Sequence, residues 1–242
     1  MAYRQVVAAL SVLAEPATSA PHHSPVLVLG TGLLALALGL VTWPIMKHTI
    51  TLAHEGGHAL FASLSGGTVD SVKVNRGISS ATKVAGVGPL GRFLTALAGY
   101  LGPSLFGLAG ALLLTGGRTV AVLWLSLLFL ALMMLVVANL FGAVVLVGTG
   151  GLLFLAARYA TGEAQTVAAY TWVWFLLIGG FLHVLDFRRE RAKGPDTGSD
   201  AVALRGMTFL PAPLWVGFFW LATLAALLYG AAILLGRVRL GG

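Results

Sequence analysis

His54, Glu55 and His58 are the residues whose types and spacing point most directly to chemistry. They lie in the run HEGGH, an H-E-x-x-H pattern. On a helix, residues four apart stack on one face, so two imidazoles can meet a single metal ion. Glu55 lies beside them, where a carboxylate can orient a water molecule and take its proton. Two histidines and a base so arranged are the core of a zinc hydrolase site. The same pattern occurs on ordinary amphipathic helices, where the polar groups are simply solvated. Here the flanking runs ITLA and ALFASL are apolar. Two imidazoles and a carboxylate buried there without partners would be strongly destabilising, and a metal ion removes that cost.

A site of this type needs a third protein ligand and an open position. The chain has no cysteine and only eight acidic residues, so the ligand must be a carboxylate or another histidine. Beyond Glu55 itself, Glu15 lies in the N-terminal tail, Glu163 falls on the wrong side of the membrane, Asp70 is too near the motif in sequence, and Glu190 and Asp196 sit among loop charges. Asp186 and Asp200 remain. Asp186 is three residues after His183 and shares its helix face, so this pair is a second set of ligating or supporting groups. As an interfacial polar pair at a helix end it would need no metal. Asp200 follows Ser199 and precedes AVAL, which makes it either a ligand or the cap of a short helix. His22 and His23 read as solvated tail residues.

The elements that must position these groups are set by composition. The chain has 242 residues, 58% of them hydrophobic and 10% charged. Soluble domains carry about a quarter charged residues. The expected architecture is an all-α polytopic membrane bundle of about 6–7 transmembrane helices, each needing about 20 apolar residues. The expected spans are 26–43, 45–64, 89–115, 119–137, 139–159, 166–187 and 212–235. Residues 1–24 read as a tail or surface-lying helix, and 25–242 as one integral-membrane domain. Gly56 and Gly57 would let another backbone or a substrate approach the motif helix. Residues 68–87 break the apolar pattern. Val69, Val72 and Val74 alternate loosely with polar residues, a turn is expected at Asn75-Arg76-Gly77, and Thr82, Val84 and Val87 follow. This is a short β-hairpin directly after the H-E-x-x-H helix.

The net charge of +7 fits basic loops on the cytoplasmic face better than a nucleic-acid partner, so none is expected. Alternating spans place Lys73, Arg76, Lys83, Arg92, Arg188, Arg189, Arg191, Lys193 and Arg205 on one side. Lys47, Arg118, Arg158, Arg237 and Arg239 fall on the other, together with Glu163. The positive-inside rule makes the first side cytoplasmic. The end of the motif helix, the hairpin and the 188–211 loop share that side. Asn139, in the turn of VVANLFG, falls there too, and either satisfies local backbone or hydrogen-bonds a substrate strand. Trp43, Trp172, Trp174 and Trp215 are placed near span ends, as in an interfacial belt.

HEGGHAL, followed by GG and a β-segment, resembles the intramembrane metalloproteases of the site-2 protease class. More closely, HEGGHALFASLSGGTV, ALAGYLGPSLFGLAGALLL, ANLFGAVVLVGTGGLLF and GSDAVALRGMTFLPAPLW resemble the M50B-like peptidase family. These segments cover most of residues 45–220. The resemblance implies a Zn2+-dependent endopeptidase acting on membrane-associated proteins, with the lipid bilayer as its medium and a bacterial plasma membrane as its setting. It implies His54 and His58 as ligands and Glu55 as the base. Site-2 proteases take their third ligand from an N-P-D-G or L-D-G-type motif, which is absent here. The segment Ser199-Asp200-Ala201 matches the M50B-like pattern, so the resemblance favours Asp200. The rival readings are a non-proteolytic membrane protein with a structural metal site and a small transporter. The chain shows no internal repeat of the kind many transporters carry.

Overall fold

The computed structural model describes residues 24–75, 80–194, 196 and 198–238. The N-terminal tail expected over 1–24 lies almost wholly outside them, as do Arg76 and Gly77 of the hairpin turn. The chain is mostly helical. In order it forms α1 (Pro25–Val41), α2 (Trp43–Leu64), β1 (Thr68–Lys73), β2 (Ala81–Ala85), α3 (Pro89–Thr115), α4 (Thr119–Met134), α5 (Leu140–Tyr159), α6 (Gly162–Arg191), α7 (Asp200–Met207) and α8 (Ala212–Leu234).

The expectation of 6–7 spans is met only in part. Among the described residues, four helices, α3, α5, α6 and α8, are long and apolar enough to cross a membrane by themselves. A fifth span arises if α1 and α2 count as one broken element, because they meet at a bend of 108°. Pro44 sits at that bend within the first turn of α2, where its missing N–H costs no helical bond. Hydropathy alone had read the pair as two spans. The segment expected over 119–137 is also shorter than a span. Its helix has 16 residues, about 24 Å at 1.5 Å per residue, against a hydrocarbon core of about 30 Å.

Helix α2 lies deep in the bundle. Leu52 to Ala59, including the whole motif, are buried. Gly57 makes this possible. A Cβ there would overlap the carbonyl of Ala98 and come within 3.2 Å of Gly102 Cα, so its absence lets α2 and α3 approach backbone to backbone. On the other side, a Cβ at Gly56 would run into the ring of Phe129 on α4. The close approach expected at the glycine pair is thus made by this chain's own helices.

The hairpin forms as expected, with β1 and β2 antiparallel and Val72 opposite Thr82. A register shift falls between Val69 and Ser71. The sequence pattern did not show the neighbour of β1 on its other side. Val72 N–H donates to Val136 O at 2.8 Å, and Ala138 N–H donates to Val72 O at 2.8 Å. Residues 136–138 therefore run as a parallel partner to β1, and β2 is left as the outer strand.

The tryptophans do more than line an interface. Trp174 is buried and donates to Val28 O at 3.0 Å, tying α6 to α1. Trp172 donates to Ser126 Oγ at 2.9 Å, tying α6 to α4. Trp215 is also buried and donates to Thr208 Oγ1 at 3.1 Å.

Candidate metal centre

Three side chains converge on the buried middle of α2. His54 and His58 Nε2 lie 3.2 Å apart, one helical turn separating them. Asp200 arrives from α7, at the far end of the sequence. Its Oδ2 is 3.3 Å from His54 Nε2 and its Oδ1 is 3.3 Å from His58 Nε2, so the carboxylate straddles both rings. All three residues form one potential metal-ligating group.

Local sequence explains how Asp200 becomes free for this. Ser199 takes the cap of α7, its hydroxyl accepting from Val202 N–H at 3.4 Å. Asp200 is then the first helical residue, and its side chain is not needed at the helix end. Gly99 on α3 leaves the space. A Cβ there would overlap Asp200 Oδ2 and the His58 ring.

The donor set fits a cation. His58 Nδ1 lies 2.7 Å from the backbone carbonyl of Thr95. A carbonyl only accepts, so Nδ1 carries the hydrogen and a neutral His58 presents a bare lone pair on Nε2. That lone pair and Asp200 Oδ1 are both acceptors facing each other at 3.3 Å. Only a positive charge between them, a metal ion or a proton, reconciles the pair. Asp200 Oδ2 is buried and has no hydrogen-bond partner among the described residues. Tetrahedral zinc with bonds of about 2.0–2.1 Å to N and O spaces its ligand atoms about 3.3 Å apart, close to the separations seen here. The fixed His58 tautomer is the usual support for an imidazole ligand. His54 lacks the equivalent, since its Nδ1 is buried without a partner among the described residues.

Glu55 points to a different neighbour. It is 3% exposed, and its Oε2 accepts from Thr82 Oγ1 at 2.7 Å. The same hydroxyl lies 3.1 Å from the Glu55 backbone carbonyl. Thr82 belongs to β2, so the outer strand of the hairpin fastens the carboxylate of the motif. An aromatic wall closes the opposite side. Tyr100 meets the His54 ring edge-on at 4.6 Å between centroids, and His183 meets it at 5.2 Å.

A chain with these groups on these helices is matched by one family description. Peptidase M50B-like spans residues 26–230. The chain belongs to that family. No curated protein and no solved structure matches it. Membership in a peptidase family, together with the apolar helices, supports an integral-membrane metalloprotease.

Within this M50B-like bundle, His54, Glu55, His58 and Asp200 come together, His183 packs beside them, and Asp186 and Asn139 have other partners. Asp186, read from sequence as an alternative ligand or a supporting residue, lies outside the metal-ligating group found among the described residues. Its Oδ2 accepts from Trp43 Nε1 and its Oδ1 pairs with Arg189 Nη1 at 3.5 Å. His183 stays near the centre through its ring, against His54 and Tyr100. Asn139 hydrogen-bonds the backbone of this chain. Its Nδ2 donates to Val74 O at 2.7 Å and lies 3.5 Å from Asn75 Oδ1, and its Oδ1 accepts from Val74 N–H at 3.0 Å, so both ends of the amide engage the residues that follow β1.

Sequence reasoning missed Thr82, Tyr100, Gly99 and the carbonyl of Thr95. Thr82 and Tyr100 are common residue types in common contexts. Gly99 lies in the Gly-rich run AGYLG, which indicated close packing without saying against what.

Proposed function

We propose that this chain is a zinc-dependent endopeptidase of a single membrane domain over 25–242, hydrolysing peptide bonds of membrane-associated proteins. The observation that carries the reading is the convergence of His54, His58 and Asp200, with Glu55 adjacent, inside helices that are otherwise apolar. His54, His58 and Asp200 would hold the ion. Bound there, zinc supplies Lewis acidity, lowering the pKa of attacking water towards neutrality and polarising the scissile carbonyl.

Glu55 is the general base. It receives the proton of the attacking water and returns it to the amine that leaves. Thr82 holds one carboxylate oxygen, which fixes the rotamer and leaves the other oxygen to work. Burial of the motif keeps bulk water from the reacting groups.

The hairpin suggests how substrate is presented. A transmembrane helix hides its amides in internal bonds, so the peptide must unwind before it is cut. Val72 spends its backbone groups on residues 136 and 138, so Val72 and Thr82 are the non-hydrogen-bonded pair of the ladder. Antiparallel geometry then turns the backbone N–H and C=O of Thr82 outward, to the free edge of β2. An extended peptide pairing at that edge would lie against the residue that holds Glu55. The basic residues of the 188–211 loop favour a cytoplasmic orientation for this side, in a bacterial plasma membrane.

The test is cleavage of a membrane-protein substrate in reconstituted vesicles. Glu55→Gln should retain zinc and lose cleavage. Zinc retained with cleavage unchanged would sink the mechanism. A zinc-loaded wild type that cleaves no substrate in a proteome-wide screen would favour the metal as a structural staple.

A further inference from the structure

We propose that Arg191 and Asp196 are positioning residues that set the metal affinity of the centre by docking the segment that bears Asp200. The proposal rests on the metal reading given above. Asp200 is the one ligand not carried on α2, so its position depends on whatever anchors the start of α7.

That anchor is a chain of short polar contacts. Arg191 is the last residue of α6, and its Nε lies 3.4 Å from Asp196 Oδ2. Asp196 in turn holds Ser199 twice: its Oδ1 accepts from Ser199 N–H at 3.1 Å, and its Oδ2 accepts from Ser199 Oγ. Ser199 caps α7, and Asp200 follows directly.

A second route runs from the same guanidinium to the other side of the centre. Arg191 Cζ lies 5.8 Å from the centre of the Phe187 ring. Phe187 stacks on Tyr100 at 4.7 Å, and Tyr100 meets the His54 ring edge-on at 4.6 Å. Arg191 therefore touches both the loop that delivers Asp200 and the aromatic stack that backs His54.

Burial separates this pair from the ordinary surface pairs nearby. The side chains of Arg191 and Asp196 are 23% and 10% exposed, against 67% and 42% for Lys193 and Glu190. Exposed pairs contribute little, whereas removing one partner of a largely buried pair strands the other charge. Arg191 Nη1 is buried and has no partner among the described residues, so Asp196 is its main counter-charge.

The experiment is a zinc competition titration on the purified full-length chain, with melting temperatures taken with and without zinc. Asp196→Asn should weaken zinc binding about 10–100-fold, the usual range for residues that orient a ligand. It should also shrink the gap between zinc-bound and zinc-free melting temperatures. Arg191→Lys should restore part of what Arg191→Ala loses. Arg191→Ala combined with Asp196→Asn should weaken binding no more than the stronger single change, because the two act as one unit. Lys193→Ala, which breaks only the exposed pair, should stay within about twofold of wild type.

Wild-type zinc affinity in Asp196→Asn would overturn the proposal and leave the metal reading intact. So would a parallel fall of both melting temperatures with affinity unchanged, which marks a purely structural role. A wild-type chain that binds no zinc would overturn both. Should Arg191→Ala fail to fold, Asp196→Asn and Arg191→Lys decide the matter.

Discussion

Asp186 and Asp200 lie fourteen positions apart in sequence, one just before the 188–211 loop and one within it, and end in different environments. Asp186 follows His183 at helical spacing and looks like part of a ligand pair. In the folded chain it is partnered by an indole from α2 and by its neighbour Arg189. Asp200 stands at the start of a short helix and looks like a cap. Ser199 takes the cap, and Asp200 is left straddling two imidazoles with one oxygen otherwise unpartnered. The difference teaches that a carboxylate's role here depends on whether ordinary donors satisfy it. Asp186 has them. Asp200 Oδ2 has none among the described residues, and the carboxylate leaves an acceptor-rich gap that a cation would fill.

The largest expected effect separates the two directly. Asp200→Ala should lower zinc affinity by more than about a hundredfold, since a three-ligand site loses one ligand. Asp186→Asn should leave affinity within about twofold, because its partners lie outside the group. Equilibrium dialysis against zinc buffers checks both, and a reversed order would break the comparison.

Crowding the Asp200 side should come next. Gly99→Ala places a methyl group where Asp200 and the His58 ring sit. Affinity should fall about tenfold or more, in the range seen when ligand orientation is disturbed. Normal zinc binding in this variant would mean that the carboxylate has room to move and does not straddle the rings.

Thr82→Val probes the base apart from the metal. Removing the hydroxyl frees Glu55 Oε2 from its one side-chain donor. The kcat of cleavage should drop about tenfold, worth about 1.4 kcal/mol, while zinc content is unchanged. An equal loss of zinc would place Thr82 in support of the ligands instead.

The smallest effect belongs to the Asp186 side. Trp43→Phe removes the indole donor to Asp186 and should cost about 1 kcal/mol of stability, a typical single hydrogen bond. Denaturant unfolding in mixed micelles reads it, with zinc affinity as the internal control. A large loss of zinc affinity here would erase the distinction between the two carboxylates.

Much of this was legible in the chain because it is local. His54, Glu55 and His58 are joined by one turn of helix, and the alternating valines announced the hairpin. What escaped was set by contacts between distant segments. The pairing of Val72 with residues 136 and 138 brings a helix end beside a strand, and neither segment shows it alone. Asn139 had two readings in sequence, and its bonds to the backbone of Val74, distant in sequence, could not be read from its own turn. The described helices supply four or five of the expected 6–7 spans, because hydropathy senses apolar length but not the bend after Val41. It also admitted a 16-residue helix whose C-terminal flank, 135–137, is apolar but not helical. Thr82 carried no signal, since a threonine on a strand is unremarkable until a carboxylate is found beneath it.

The central claim, a metal held by His54, His58 and Asp200, is tested most directly by anomalous diffraction at the zinc edge from crystals of the zinc-loaded chain. The account predicts one peak about 2 Å from Nε2 of both histidines and from an Asp200 carboxylate oxygen. A peak bound by the two histidines without Asp200, or a peak beside Asp186, would contradict it.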